Sequence, residues 1–245
     1  MPTVALVTGA NRGLGFATAE ALARTGATVI ITGRDDASAR TAAARLAEQG
    51  LAVEALAMDV TSPVDVKGAA EAVSERHGRL DILVNNAGIL PEATSEGRHE
   101  FADVNAFAST FETNVLGVAN VTEHFLPLLR SSSAGRIVNI SSTMGSLSDQ
   151  SDPSSPYYGS VLPAYQASKA AVNSITVGLS KHLAGTDIKV TAVCPGWVQT
   201  DLAPGNRDNA PTSAEEAAQI VVTAATLPAD APSGTFISAA GPVPW

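Results

Sequence analysis

Tyr165 and Lys169 stand four residues apart in the run Tyr165-Gln166-Ala167-Ser168-Lys169-Ala170-Ala171. On a helix, residues at that spacing share a face and lie side by side. A tyrosine phenol can donate a proton to the alkoxide formed when a hydride reaches a carbonyl. Its ordinary pKa of about 10 leaves little phenolate at neutral pH for the reverse reaction. A neighbouring ammonium favours phenolate, and so does the positive charge of an oxidised nicotinamide. A drop of about three units requires about 4 kcal/mol, at about 1.36 kcal/mol per unit, which close cations in a partly dry cleft can supply. The other tyrosines are an internal control, because Tyr157 and Tyr158 have Val161 and Leu162 at the same offset. The small residues that follow Tyr165 leave room for a cofactor to approach.

A second constellation lies near the start of the chain. The β-like run Thr3-Val4-Ala5-Leu6-Val7 leads into Thr8-Gly9-Ala10-Asn11-Arg12-Gly13-Leu14-Gly15 and then an Ala-rich segment. Glycines here permit a tight turn and a close approach of backbone to a pyrophosphate, which a helix N-terminus also attracts. The spacing, Gly-x-x-x-Gly-x-Gly, differs from the commoner Gly-x-Gly-x-x-Gly. A strand before it and a helix after it distinguish it from a simple connecting turn.

Both constellations need a scaffold of alternating elements. Runs at 3–8, 28–32, 80–85, 136–140 and 188–193 are rich in β-branched residues and almost continuously apolar, as in a parallel sheet covered on both faces. Segments of helical period lie at about 14–25, 37–49, 63–77, 103–130, 163–184 and 213–226. Gly26, Gly50 and Gly78 follow the first three, and Pro63 opens the third. A short strand near Gly234–Ser238 closes the edge. The order predicts an α/β protein: a three-layer doubly wound Rossmann fold around a parallel sheet of about seven strands. With no linker visible, residues 1–245 read as a single dinucleotide-binding and catalytic domain. Irregular stretches at about 146–161 and 197–212 follow strand C-termini in the second half, where such sheets place their ligand crevice.

The glycine loop resembles the cofactor loop of the short-chain dehydrogenase/reductase family, and further segments agree in order along the chain. Asp59-Val60 follows the third strand, Asn85-Asn86-Ala87-Gly88 the fourth, and Pro195-Gly196-Trp197-Val198-Gln199-Thr200 the sixth. Within the family the likeness is to single-domain carbonyl reductases, carried by Gly9–Phe16, Thr32-Gly33-Arg34-Asp35, Cys194–Asp201 and the ending Pro242-Val243-Pro244-Trp245. The resemblance implies a cofactor site of Gly9, Asn11, Arg12, Gly13, Leu14, Gly15, Arg34, Asp59, Val60, Asn86, Ala87, Gly88, Tyr165, Lys169, Pro195, Gly196, Val198 and Thr200. Asp59 would face the adenine, Asn86 and Gly88 the ribose region, and Thr200 the carboxamide. It also implies a catalytic set of Asn114, Ser142, Tyr165 and Lys169. Ser142 would polarise the substrate oxygen. Ser141 competes for that part, since strand alternation points the two serines to opposite faces. Asn114 would hold a water that links Lys169 to solvent; alone, it would read as a locally satisfied helix asparagine.

A ribose 2′-hydroxyl is usually met by a carboxylate after the second strand, and a 2′-phosphate by cations. That place is held here by Gly33, followed by Arg34, with Arg12 in the glycine loop. Two guanidinium groups suit a phosphate, so the reading is NADP(H). Asp35 and Asp36 complicate it, but they fit a helix N-cap.

Composition sets the bounds. The chain has 245 residues, 45% hydrophobic and 16% charged, a globular balance. Its 24 acidic and 15 basic residues give a net charge of −9 with no basic run, which argues against nucleic acid or an anionic membrane as partner. Cys194 is the only cysteine and reads as a small buried hydrophobe; no Cys/His cluster has metal-ligand spacing, so no metal is expected. Without a leader-like or membrane-length apolar stretch, the expected location is the cytoplasm. The expected partner is a small carbonyl or alcohol substrate, a ketone, aldehyde or quinone. The alternative is a non-catalytic NADP(H)-binding sensor, against which both Tyr165 and Lys169 stand. Reduction of a carrier-bound 3-oxoacyl chain would want a basic docking patch, and the acidity gives none. No appended substrate domain follows the last strand, unlike the sugar-nucleotide-modifying branch of the family. The segment between Ser142 and Tyr165 is longer than in the shorter relatives. It should overhang the cleft, and it leaves monomer or homo-oligomer undecided.

Overall fold

Alternation within the strands decides where the core lies, because side chains two apart along a strand share a face. Val4 and Leu6 join Ile30, Leu83, Ile137 and Val190 in one buried cluster. Ala5 and Val7 join Val29, Ile31, Val84, Val138 and Val193 in another. A sheet apolar on both faces must be covered twice, and the chain is long enough to do so.

The computed structural model describes residues 2–94 and 99–245. In chain order the elements are β1 (Val4–Val7), α1 (Gly13–Arg24), β2 (Thr28–Gly33), α2 (Asp36–Ala47), β3 (Val53–Ala57), α3 (Pro63–His77) and β4 (Ile82–Asn85). Then come α4 (Val104–Phe111), α5 (Gly117–Arg130), β5 (Arg136–Ile140), α6 (Leu147–Ser151), α7 (Pro163–His182) and β6 (Lys189–Cys194). The last are α8 (Asn206–Asn209), α9 (Ala214–Ala225), β7 (Thr235–Ser238) and β8 (Gly241–Pro242). The sheet order is β3-β2-β1-β4-β5-β6-β7-β8, parallel up to β7, with β8 antiparallel at the edge. This is the expected doubly wound fold, and the order reverses between β1 and β4, where such sheets open their ligand crevice. Helices α3 and α5 cover one face through Val66, Val73, Phe125 and Leu129. Helices α1, α2 and α9 cover the other through Leu22, Leu46 and Val221. Each such side chain contributes about 1.5–3 kcal/mol on full burial.

Helix ends follow the sequence signals. Asp35 accepts from the Ser38 amide at the start of α2, so the carboxylate after β2 is a cap. Ser62 and Pro63 open α3, and Gly78 closes it at φ 70°.

The structure departs from expectation in several places, among them the short helices α6 and α8 inside the stretches read as irregular. The eighth strand, only two residues long, exceeds the expected seven; a turn at Ala239–Ala240 folds the tail back on β7. The sixth strand runs one residue later than predicted. The single helix expected over 103–130 is broken into α4, a wide π turn at Glu112–Leu116 and α5. In the wide turn the Gly117 amide bonds the Glu112 carbonyl. A Cβ at Gly117 would stand 2.8 Å from Val60 Cγ2, so α5 starts in direct contact with the segment after β3. Neither proline nor paired glycines mark 112–116, so the break had no sequence signal.

Candidate active site

Helix α7 carries Tyr165 and Lys169 on one buried face, 8% and 5% exposed. The Lys169 ammonium lies 5.5 Å from the centre of the Tyr165 ring. Its Nζ donates to the Ile140 carbonyl at the end of β5, at 2.8 Å. The chain then turns through Ser141 and Ser142, whose side chains part company. Ser141 donates to Asn173 Oδ1 at 2.6 Å and to the Lys169 carbonyl, both inside the protein. Ser142 Oγ accepts from the Met144 amide, and its hydroxyl lies close enough to the Tyr165 phenol to pull that group's pKa down. The two serines thus point to different surroundings, Ser141 into the protein and Ser142 toward Tyr165. The short 3-10 turn Thr143–Gly145 packs flat on α7, since a Cβ at Gly145 would lie 2.6 Å from Lys169 backbone and Cβ.

Burial dominates the electrostatics. It pushes the Tyr165 phenol well above its ordinary value, helped by the Cys194 sulfur and opposed by the Ser142 hydroxyl. It pulls the Lys169 ammonium down to about 8. The sequence led us to expect a lysine that lowers the tyrosine. In the structure desolvation acts on both groups, and the Lys169 donor is aimed at Ile140 rather than the phenol oxygen.

Asn114 sits in the wide turn, 1% exposed. Its Oδ1 accepts from the Ile89 amide at 2.8 Å; its Nδ2 donates to the Ile89 carbonyl and to Ser168 Oγ. Both Asn114 Nδ2 donors are thus engaged within the protein. Asn114 Oδ1 and Lys169 Nζ nonetheless converge on Gly88, 3.4 and 3.8 Å from where its Cβ would be.

The glycine turn is braced from β4. Thr8 Oγ1 accepts from the Asn86 and Ala87 amides, each at 2.9 Å. Asn86 Nδ2 donates to the Thr8 and Gly9 carbonyls, so Asn86 shapes the turn with its own amide. Gly9 and Gly13 adopt φ 62° and 56°. A Cβ at Gly15 would lie 2.5 Å from Asn86 Nδ2 and 2.6 Å from the Gly9 carbonyl oxygen. Helix α1 begins with no side-chain cap, unlike α2, α3, α4 and α9, and has no acidic residue in its first turn. A cradle without side chains at an uncapped helix start fits a bound pyrophosphate. Asn11 donates to Ser38 Oγ, with Gly33 packed beside it, and Leu14 packs on the core. Arg34 is exposed. Asp59 Oδ1 accepts from the Thr61 amide and hydroxyl, and the Val60 carbonyl accepts from Asn120.

After β6, Pro195 and Gly196, the latter at φ 87°, carry the chain to the buried Val198, which bridges to Thr212. Thr200 returns onto the glycine turn, its Cγ2 being 3.3 Å from where a Gly13 Cβ would stand. Next to it, Asp201 pairs with Arg207 and with Arg12 at 3.4 Å, and Arg207 holds its carboxyl below the ordinary range. Arg12 is thus paired within the chain and 69% exposed. The long segment after Ser142 holds α6 and successive turns; Ser148 donates twice to the Trp245 carbonyl, and the Trp245 ring stacks on Phe236. Cys194 is buried and accepts from the Thr143 amide, as a structural thiol.

Sequence reasoning missed Thr8 and Glu92. The Glu92 carboxylate, on a 3-10 turn after β4, accepts from the Ala164 and Tyr165 amides at 3.0 and 2.8 Å. The only sequence signal was a helix start at Leu162-Pro163 with no residue able to cap it.

A parallel sheet with a glycine turn at its switch point and a Tyr–Lys helix beside it defines a Rossmann-fold oxidoreductase. Residues 3–211 match the short chain dehydrogenase family, to which the chain belongs. Short-chain dehydrogenase anuI of Penicillium roqueforti is 38% identical over 231 residues, covering 90% of this chain and 87% of that protein. The (+)-neomenthol dehydrogenase of Arabidopsis thaliana is 32% identical, covering 97% and 96%. NADPH-bound carbonyl reductase from chicken fatty liver superposes with a TM-score of 0.85 at 28% identity, covering 100% of this chain and 99% of that one. Among the described residues no helix is long and apolar enough to cross a membrane.

Proposed function

We propose that the protein transfers a hydride between NADP(H) and a small carbonyl or secondary-alcohol substrate, working chiefly as a reductase of ketones, aldehydes or quinones. The observation that carries this is the buried Tyr165 phenol, with Ser142 beside it and Lys169 5.5 Å from its ring centre on the same helix. The nicotinamide supplies the hydride. Tyr165 then donates its proton to the nascent alkoxide, and Ser142 holds the substrate oxygen. Burial keeps the phenol protonated, which is the form that reduction requires. Lys169 anchors the end of β5 through Ile140 and keeps a donor beside the tyrosine. Asn114 pins Ile89, and with it the backbone after Gly88, against α7.

The phosphorylated cofactor is favoured by Arg34 and Arg12 near an acid-free Gly33, and by the likeness to a carbonyl reductase that binds NADPH. For Arg12 this requires release from Asp201, an exposed pair worth about 0–1 kcal/mol, which a phosphate can outbid. Gly9, Gly13, Leu14 and Gly15 would carry the pyrophosphate, with Thr200 and Val198 against the nicotinamide and Asp59, Val60, Ala87 and Gly88 along the adenosine. The test is NADPH oxidation against a panel of aldehydes, ketones and quinones, run beside NADH. Wild-type protein should turn over part of the panel, and Tyr165→Phe should lose at least about 100-fold in kcat while still binding NADPH. Equal turnover by the two proteins would end the proposal.

A further inference from the structure

Helix α7 begins in an unusual way. Leu162 occupies its N-cap position and offers no side-chain acceptor, and Pro163 has no amide hydrogen. The first free donors are the amides of Ala164 and of Tyr165 itself. A helix start leaves such donors unpaired unless something accepts them. Here both are taken by one carboxylate: Ala164 N–H donates to Glu92 Oε1 at 3.0 Å, and Tyr165 N–H donates to Glu92 Oε2 at 2.8 Å. The next amide, that of Gln166, returns to the Leu162 carbonyl, and the Leu162 amide is met by Gln166 Oε1. Every donor of the first turn is accounted for, and the two that flank the proposed proton donor depend on a residue 73 positions away.

The segment that carries Glu92 is itself anchored. Ile89, three residues earlier, has both its backbone groups bonded to the Asn114 side chain. Asn114 in turn donates to Ser168, and Ser168 Oγ donates to the Tyr165 carbonyl. Tyr165 is therefore held at both ends of its backbone by one connected set, with Glu92 at the N–H and Ser168 at the C=O. The negative charge also suits the positive end of the helix.

We propose that Glu92 is a positioning residue, the remote cap that sets the first turn of α7 and so the place of the Tyr165 phenol. It does not touch the reacting atoms. This inference rests on the reading of Tyr165 as proton donor. The idea is that a cap lost at this spot moves a reacting group, and misplacement of about 1 Å can cost about 100-fold in rate.

The experiment compares wild-type protein, Glu92→Gln and Glu92→Ala. Glu92→Gln keeps the shape and one acceptor oxygen, and Glu92→Ala keeps neither. The expected result is a graded fall in kcat, about threefold for Gln and at least about tenfold for Ala, with the Kd for NADPH unchanged. Amide hydrogen exchange at Ala164 and Tyr165 should quicken at least about tenfold in Glu92→Ala, while the helix beyond Lys169 keeps its protection. Unchanged kcat in both folded variants overturns the proposal even if exchange quickens. So does unchanged exchange, or a kcat loss matched by an equal loss of NADPH binding. If Glu92→Ala does not fold, the same criteria apply to Glu92→Gln. Wild-type protein that reduces no carbonyl defeats the proposed activity instead. In that case the exchange measurement, which needs no substrate, still decides whether Glu92 holds the helix.

Discussion

Burial drives Tyr165 and Lys169 toward their neutral forms at once, the phenol by rising and the ammonium by falling to about 8. That shared direction has a consequence for stability. An unfolded lysine keeps its proton to about 10.5, so between about pH 8 and 10 the unfolded chain binds more protons at this site than the folded one. Stability must then rise with pH across that window; below it both states are protonated and the cost of burying the charge is constant. Above about 10 the sign reverses through Tyr165, which stays protonated in the fold after the unfolded phenol has ionised. Melting curves of wild-type protein and Lys169→Met, taken every half unit from about pH 7 to 10, should diverge from about pH 8, with the wild type gaining. Parallel curves would mean that Lys169 is not desolvated. Asn114 teaches a related lesson: its side chain is satisfied by the distant Ile89 and Ser168, and its Oδ1 still converges with Lys169 on Gly88.

At the scale of elements, the site depends on how closely other segments approach α7. Gly145 is where another segment lies tight against the α7 backbone, because any side chain there would meet Lys169 and Ala170 backbone at 2.6 and 2.8 Å. Backbone cannot yield as a flexible side chain can, so Gly145→Ala must displace the Thr143–Gly145 turn and with it Ser142. We expect a loss of about 1–3 kcal/mol in stability, read by urea unfolding, with kcat down at least about tenfold. Gly68 in α3 is the control, since nothing lies within 4 Å of its would-be Cβ. Gly68→Ala should stabilise by about 0.5–1 kcal/mol and leave activity alone. If the two substitutions behave alike, the close packing of turn on helix is not what places Ser142. The wide turn at Glu112–Leu116 is the other element-level feature, and it brings Asn114 to Ile89 and Ser168 together.

Taken whole, the molecule brings its ligand-facing segments to one edge of the sheet, at the C-terminal ends of β1, β2, β4, β5 and β6. A cofactor lying across those ends would tie the two halves of the sheet, so its binding should register as global stability. At about 100 times its Kd a ligand contributes about 2.7 kcal/mol, and a domain of this size gains about 2–4 °C per kcal/mol. NADPH should therefore raise Tm by about 5–11 °C, and NADH at the same concentration by clearly less. The double variant Arg12→Ala/Arg34→Ala should erase that difference, and an equal response of the wild type to both nucleotides would remove the case for the phosphorylated form.

Much of this was legible in the residues before any coordinates. Near-continuous apolar runs and period-3.6 patterns located six of the strands and the helices that cover them, because a strand buried on both faces needs apolar residues at almost every position. Tyr165 and Lys169 could be paired from spacing alone, since a helix fixes the neighbours of every residue within one turn. The break at Glu112–Leu116 could not be read so, because it goes with what Asn114 and Gly117 meet across space, Ile89 and Val60. The same is true of the pairing of Arg12 with Asp201, 189 residues apart. The opening pair shows the division most plainly. Sequence determined that a tyrosine and a lysine would share a helix face, but their titration was decided by the tertiary structure, because desolvation depends on everything packed around them. It also decided that the helix starting at Pro163 would be capped by Glu92, a contact between distant residues that no local pattern encodes.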